Sequence, residues 1–144
     1  GKGAAEAAAM AQAALGACGL WERRKVFVHS LSGGELRRLS LAGILALDPA
    51  VLVLDEPFAN LDLYGVRSVL RILRELKAQG KALIVATHEL EKVLAMADRV
   101  LVLDAGTLAF DGAPGAFLER DLEGWGLRDP RARSGDIEGL SWLD

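Results

Sequence analysis

The spacing of apolar residues changes repeatedly along this chain. Ala4 to Leu15 is dominated by alanine, the strongest helix former, and Gly16 and Gly19 follow, which predicts a helix leading into a loop over Trp21 to Ser30. Past Gly33-Gly34, the residues Leu36, Leu39, Ala42, Gly43 and Ala46 recur at helical spacing and predict a second helix to Leu47, ended by Asp48-Pro49. Val51 to Leu54 is a short apolar run without alternation, the pattern of a parallel strand covered on both faces. The helical period returns over Leu63 to Gln79, where Val66, Val69, Leu70, Leu73 and Leu76 share one face and Gly80 stands beyond the end. Ala82 to Ala86 predicts another buried strand, and Glu89 to Ala97 an amphipathic helix through Leu90, Val93, Leu94 and Ala97. Val100 to Leu103 and Thr107 to Phe110 predict a hairpin turned at Asp104-Ala105-Gly106. Pro114 opens a short helix over Ala116, Phe117 and Leu118, after which mixed charges with Gly, Pro and Ser predict a loose tail.

Strands alternating with helices give an α/β class with at least one parallel pair. No internal repeat is visible, and no heptad pattern is sustained. A length of 144 residues, 51% hydrophobic and 26% charged, fits one globular domain with a real core. Trp125 and Trp142, scattered in the tail, could pack back onto that core or meet a partner, and core packing is the favoured reading.

Charge and cysteine usage narrow the function. Seventeen basic against twenty acidic residues give a net charge of -3 with no basic block, which argues against a nucleic-acid surface. The longest uncharged stretch, Ala7 to Trp21, is shorter than the ~20 apolar residues of a membrane span and contains Gln12, Gly16 and Gly19. Leu15-Gly16-Ala17-Cys18 has the outline of a lipoprotein processing box, but Glu6 interrupts the preceding stretch and alanine is a weak apolar residue, so export is disfavoured. The single cysteine, Cys18, can form no internal disulfide; it is expected to be a small buried residue in a reducing cytoplasm.

Short segments carry the chemistry. Leu31 to Glu35 reads LSGGE, Val51 to Glu56 reads VLVLDE, Ala59 to Asp62 reads ANLD, and Ala86 to Glu89 reads ATHE. Asp55 and Glu56 close an apolar strand, and in open α/β sheets the ligand crevice lies beyond the carboxyl ends of the strands. The first acid of such a pair suits Mg²⁺, and the second can polarise an attacking water. Ser32 offers a hydroxyl at the start of a helix, and Gly33-Gly34 leave backbone N–H groups open to phosphate oxygens. Taken singly, an acidic pair after a strand reads as a solvated turn and Ser-Gly-Gly as an ordinary N-cap; their ordered combination favours nucleotide phosphate chemistry. His88 follows an apolar strand and precedes a helix, and is expected beside Asp55 and Glu56, whereas His29 reads as loop packing or polarity. Asp62, just before a helix, also has an N-cap reading.

In this order the motifs resemble the C-terminal half of an ABC-type ATPase domain. The resemblance runs from Leu31 to Leu118 and only loosely over residues 4–30. It implies a P-loop NTPase-like α/β fold, with a mainly parallel sheet flanked by helices. No G-x-x-x-x-G-K-[ST] occurs, and Gly1-Lys2-Gly3 has neither the hydroxyl residue nor the preceding strand of a P-loop. With Gly rather than Met at the start, a partial sequence lacking the N-terminal P-loop segment is the expectation, its sheet left with a pairing edge. Residues 1–118 would form the partial ATPase domain and 119–144 a C-terminal tail.

What the resemblance implies for the site is specific. Two ATPase domains pair head to tail around ATP, so that Ser32, Gly33, Gly34 and Glu35 would meet the γ-phosphate of ATP held by the partner. Asp55 would be the Mg²⁺-associated acid, Glu56 the catalytic base, His88 the switch histidine, and Asp62 part of the loop that communicates across the dimer. Glu35 stands where many members carry Gln, and Leu63 where Pro often follows Leu-Asp. The signature helix, through Gly43 to Leu47, looks most like those of energy-coupling-factor and cobalt-type importers, which take up vitamins or metal ions through integral-membrane subunits. The implied place is cytoplasmic, peripheral on the inner face of the membrane, with a second ATPase subunit, identical or not, as partner and no nucleic acid. Alternatives are a non-transport ABC ATPase, or a truncated non-catalytic partner that lends only its LSGG face.

Overall fold

The computed structural model describes residues 3–132. Gly1, Lys2 and Trp142, with the rest of the chain's end, lie outside the described residues. The chain divides into two compact units between Thr87 and His88. It is an α/β protein with a parallel strand pair, as the alternation of patterns predicts.

The first unit opens with α1, Ala4–Ala17. Its C-terminus closes in a Schellman turn: Leu20 N–H reaches the Leu15 carbonyl at 2.7 Å and Gly19 N–H the Gly16 carbonyl at 3.0 Å. Gly19 takes φ +65, which glycine adopts without a Cβ penalty. Cys18 and Leu20 are buried beside it, as expected for the lone thiol. Single 3₁₀ turns at Trp21–Arg23 and Val28–Ser30 lead to α2, Gly33–Leu45. The strand β1, Val51–Asp55, is followed by α3, Leu63–Ala78, and by β2, Ala82–Ala86, which pairs with β1 in parallel. Lys81 fixes the approach to this pair by donating to Asp48 Oδ1 at 2.7 Å and to the Pro49 carbonyl at 2.9 Å.

The core of this unit lies along α3, whose five predicted apolar residues are all buried together with Ile72. Burial on both faces of β1 and β2, expected from their unbroken apolar runs, is not what is found. Leu52 is buried, but Val51, Val53 and Ile84 are more than half exposed. The register pairs Val51 with Ala82 and Val53 with Ile84, so these residues share the face that the described helices leave open. An apolar run reports the polarity of both faces, not whether a layer within the described residues covers each one.

The second unit begins with α4, Leu90–Val93, and a 3₁₀ turn at Leu94–Met96, a shorter helix than the pattern from Glu89 to Ala97 predicts. The antiparallel hairpin of β3, Val100–Asp104, and β4, Thr107–Gly112, turns through Ala105 at φ +45 and Gly106 at φ +79, the signs of a type I′ loop. α5, Pro114–Leu118, follows with Pro at its first position. Phe110, Phe117, Leu94, Val102, Leu118 and Leu122 form the core, and Trp125 packs against it, its ring stacked 6.4 Å from that of Phe117. The expectation that Trp125 packs inward therefore holds. Among the described residues, no helix is long and apolar enough to cross a membrane.

Candidate functional site

Asp55 is the last residue of β1, in register with Ala86 at the end of β2, so the carboxyl ends of both strands meet at one edge. Glu56 continues this pairing by donating its N–H to the Ala86 carbonyl at 2.9 Å. The chain then turns sharply, and Glu56 takes φ +43. For a residue with a Cβ this left-handed conformation costs roughly 1–2 kcal/mol, and surrounding contacts must hold it. Thr87 supplies one of them, donating from Oγ1 to Glu56 Oε2 at 3.1 Å.

Arg37 supplies another. From α2 it donates through Nη2 to the carbonyls of Asp55 at 3.0 Å and Glu56 at 2.6 Å, and through Nε to that of Pro57 at 3.4 Å. Neither Arg37 nor Thr87 stands out as functional in the sequence. Nothing in the periodicity of α2 marks a guanidinium that reaches carbonyls some twenty positions later, although Thr87 lies inside the ATHE segment.

The SGG segment starts α2. Ser32 is the N-cap: its Oγ accepts from Glu35 N–H at 3.3 Å, while Ser32 N–H donates to Glu35 Oε2 at 2.9 Å, a complete capping box. Ser32 and Gly33 are exposed and Gly34 is half-buried, so the open N–H groups of the first turn face a surface. Glu35 is tied back to Ser32 and to Arg23 Nε at 3.2 Å. The Ser32 N–H holds its carboxyl below the ordinary range, assisted by the Ser32 hydroxyl, Arg23 and Arg38. These contacts make Glu35 part of the helix start.

Asp62 caps α3, accepting from Gly65 N–H at 2.7 Å. The segment before it bends back through Asn60 at φ +60, and Gly65 leaves room for the cap: a Cβ there would crowd Asp62 Oδ1 at 3.1 Å and Leu61 Cβ at 3.2 Å. His88 directly follows Thr87 in the chain and opens the second unit. His29 stacks on Phe27 with ring centroids 5.5 Å apart, a loop contact.

The acidic turn can also be tested against Mg²⁺. Among the described residues no group of three or more His, Cys, Asp or Glu could hold a metal ion. A lone exposed carboxylate, Asp55, nonetheless suits this cation, which commonly takes one or two protein carboxylates and completes its shell with phosphates and water.

Comparison with known proteins follows the same lines. The family model described as ABC transporter matches residues 3–59. The cobalt import ATP-binding protein CbiO of Rhodobacter capsulatus is 42% identical over 128 residues, covering 88% of this chain and 46% of that protein. The energy-coupling factor transporter ATP-binding protein EcfA of Carboxydothermus hydrogenoformans is 42% identical over 118 residues, covering 81% of this chain and 44% of its own length. The chain thus spans about half the length of the curated relatives it matches. The solved structure of cbiO1 from Clostridium perfringens, described as part of the ABC transporter complex cbiONQ, superposes with a TM-score of 0.70 at 32% identity, over 91% of this chain and 51% of that one. Parallel strands ending in an acidic pair, a capped SGG helix and these likenesses together identify the chain as a member of the ABC-transporter ATP-binding family.

Proposed function

We propose that this chain is the signature-bearing half of an ATP-hydrolysing subunit that powers import of a vitamin or metal ion. The names of its relatives, for cobalt import and for energy-coupling factor transport, support that choice of cargo. The subunit works as a pair, identical or not, docked on integral-membrane subunits at the cytoplasmic face. A P-loop outside the present sequence completes each nucleotide site. Residues 1–118 belong to the ATPase domain and 119–144 form its tail, whose first residues, Leu122 and Trp125, pack on Phe117.

The observation that carries this reading is the meeting of Asp55, Glu56 and Thr87 at the carboxyl end of a parallel strand pair. Glu56 accepts a proton from water as the water oxygen attacks the γ-phosphorus and the bond to the departing ADP oxygen breaks, leaving ADP and phosphate. Asp55 would help hold Mg²⁺, which would supply neutralisation of the phosphate charge. His88 contacts the γ-phosphate or the attacking water. Across the dimer, Ser32 donates its hydroxyl and Gly33 and Gly34 their N–H groups to the partner's γ-phosphate, while Glu35 shapes that cradle. Asp62 holds the loop through which the two sites communicate.

The test is Glu56→Gln in the ATPase with its P-loop segment in place. Turnover should vanish while ATP-dependent dimers persist on size-exclusion chromatography. Undiminished hydrolysis would remove Glu56 from the role of base, and dimers indifferent to ATP would remove the shared nucleotide.

A further inference from the structure

Arg37 is half-buried, and each of its polar contacts among the described residues ends on a backbone carbonyl of one turn: Asp55, Glu56 and Pro57. That is an unusual use of a guanidinium, whose planar fork more often meets a carboxylate. The turn it grips contains the residue at φ +43, Glu56, whose left-handed backbone sets the direction in which the carboxylate leaves the chain. Three successive carbonyls can be held at once only if the peptide planes between them keep fixed orientations. Arg37 also lies one turn beyond Ser32, Gly33 and Gly34 on the same helix. The side chain therefore links the first turns of α2 to the acidic turn through three hydrogen bonds.

We propose that Arg37 is a positioning residue: it holds the strained turn so that the Glu56 carboxylate stays aimed at the attacking water, and it transmits displacement of the SGG helix start to that carboxylate. The inference rests on the role proposed for Glu56. It gives each protomer a direct mechanical path from the partner's nucleotide, met by the SGG turn, to its own hydrolytic group. The fork geometry is essential to this role. A lysine ammonium is a point charge on a flexible stem and cannot reproduce the two-nitrogen span from Asp55 to Pro57.

Arg37→Lys and Arg37→Met, measured in the ATPase with its P-loop in place, separate positioning from mere support. Expected for both is a kcat lowered about 10- to 100-fold, the scale of a small misplacement of a reacting group. The KM for ATP should stay within about twofold, because ground-state binding is untouched. Low-millimolar guanidinium should restore part of the lost turnover to Arg37→Met, since the free cation can occupy the vacated fork. If Glu56→Gln is inactive while both Arg37 variants turn over like the parent, the positioning role is overturned and the base assignment stands. If Glu56→Gln remains active, the base assignment itself fails. Parallel loss of kcat, ATP affinity and melting temperature, without guanidinium rescue, would mark Arg37 as a plain structural tie and also overturn the proposal. Should Arg37→Met fail to fold, a fully active Arg37→Lys would be decisive against it.

Discussion

Thr87 and Glu56 are joined side chain to side chain, the threonine Oγ1 donating to the glutamate Oε2 across 3.1 Å at the ends of β2 and β1. Backbone pairing brings the strand ends together, but this bond acts on the carboxylate itself. Thr87→Val keeps the shape and removes the donor. A hydrogen bond to a charged group contributes about 1.5–3 kcal/mol, less where water competes, so turnover should fall about 3- to 10-fold with little change in KM. Thr87→Ser should retain most activity. Equal kcat values for the valine and serine variants would show that the bond has no part in hydrolysis.

Much of this arrangement is legible in the sequence where the signal is local. The α3 pattern identifies its buried face because an amphipathic helix repeats the same instruction over four turns, and the Ala82–Ala86 strand is bounded by Gly80 on one side and the ATHE segment on the other. Ser32 and Asp62 are recognisable as caps because capping involves residues three apart. Arg37 is a different case. Its partners lie about twenty positions along the chain, at the end of β1, which no local spacing encodes. Likewise the apolar run of β1 reads as fully buried, whereas Val53 is 66% exposed; composition cannot say which layer meets it. The ties of Glu35 to Ser32 and Arg23 divide the same way: the capping box is a local, three-residue signal, and the Arg23 contact is not.

Cys18 gives a pH-dependent signature of the α1 turn. It is 1% exposed, and burial pushes its thiol from 9.0 up to about 11 despite the nearby Arg38 charge. The neutral thiol is the form the fold favours. Its contribution is therefore complete below pH 9, the unfolded value, and is lost as pH rises toward 11, where the unfolded chain gains the thiolate first. The full loss is on the order of 2 kcal/mol. Urea midpoints of the parent and Cys18→Ala, followed from pH 8 to 11.5, should converge or cross across this window. Curves that remain parallel would refute the raised thiol.

Leu73 tests where the first unit keeps its stability. Its exposure is 0% at the centre of the α3 face, while Leu47, beyond the end of α2, is 77% exposed. Leu73→Ala should cost about 2–5 kcal/mol, combining lost burial with a cavity that only partly relaxes. Leu47→Ala should stay within about 0.5 kcal/mol. Chemical denaturation read by circular dichroism measures both. Similar costs for the two would contradict the packing around α3.

Ser32 separates helix capping from the proposed nucleotide contact, because the cap uses the oxygen as acceptor and the proposed contact uses the hydroxyl proton. Its Oγ accepts from Glu35 N–H, and a carboxylate can accept that bond equally well, so Ser32→Asp should preserve the helix start. The hydroxyl proton, however, is gone in that variant, and a negative charge now faces the position proposed for the partner's γ-phosphate. Ser32→Ala loses the cap and should destabilise by about 1 kcal/mol. Melting temperature should therefore rank Ser32→Asp close to the parent and above Ser32→Ala. ATP-dependent dimerisation should give a different order, with Ser32→Asp the weakest of the three because repulsion adds to the missing donor. A Ser32→Asp protein that melts like the parent and still dimerises with ATP would place the γ-phosphate away from this helix start.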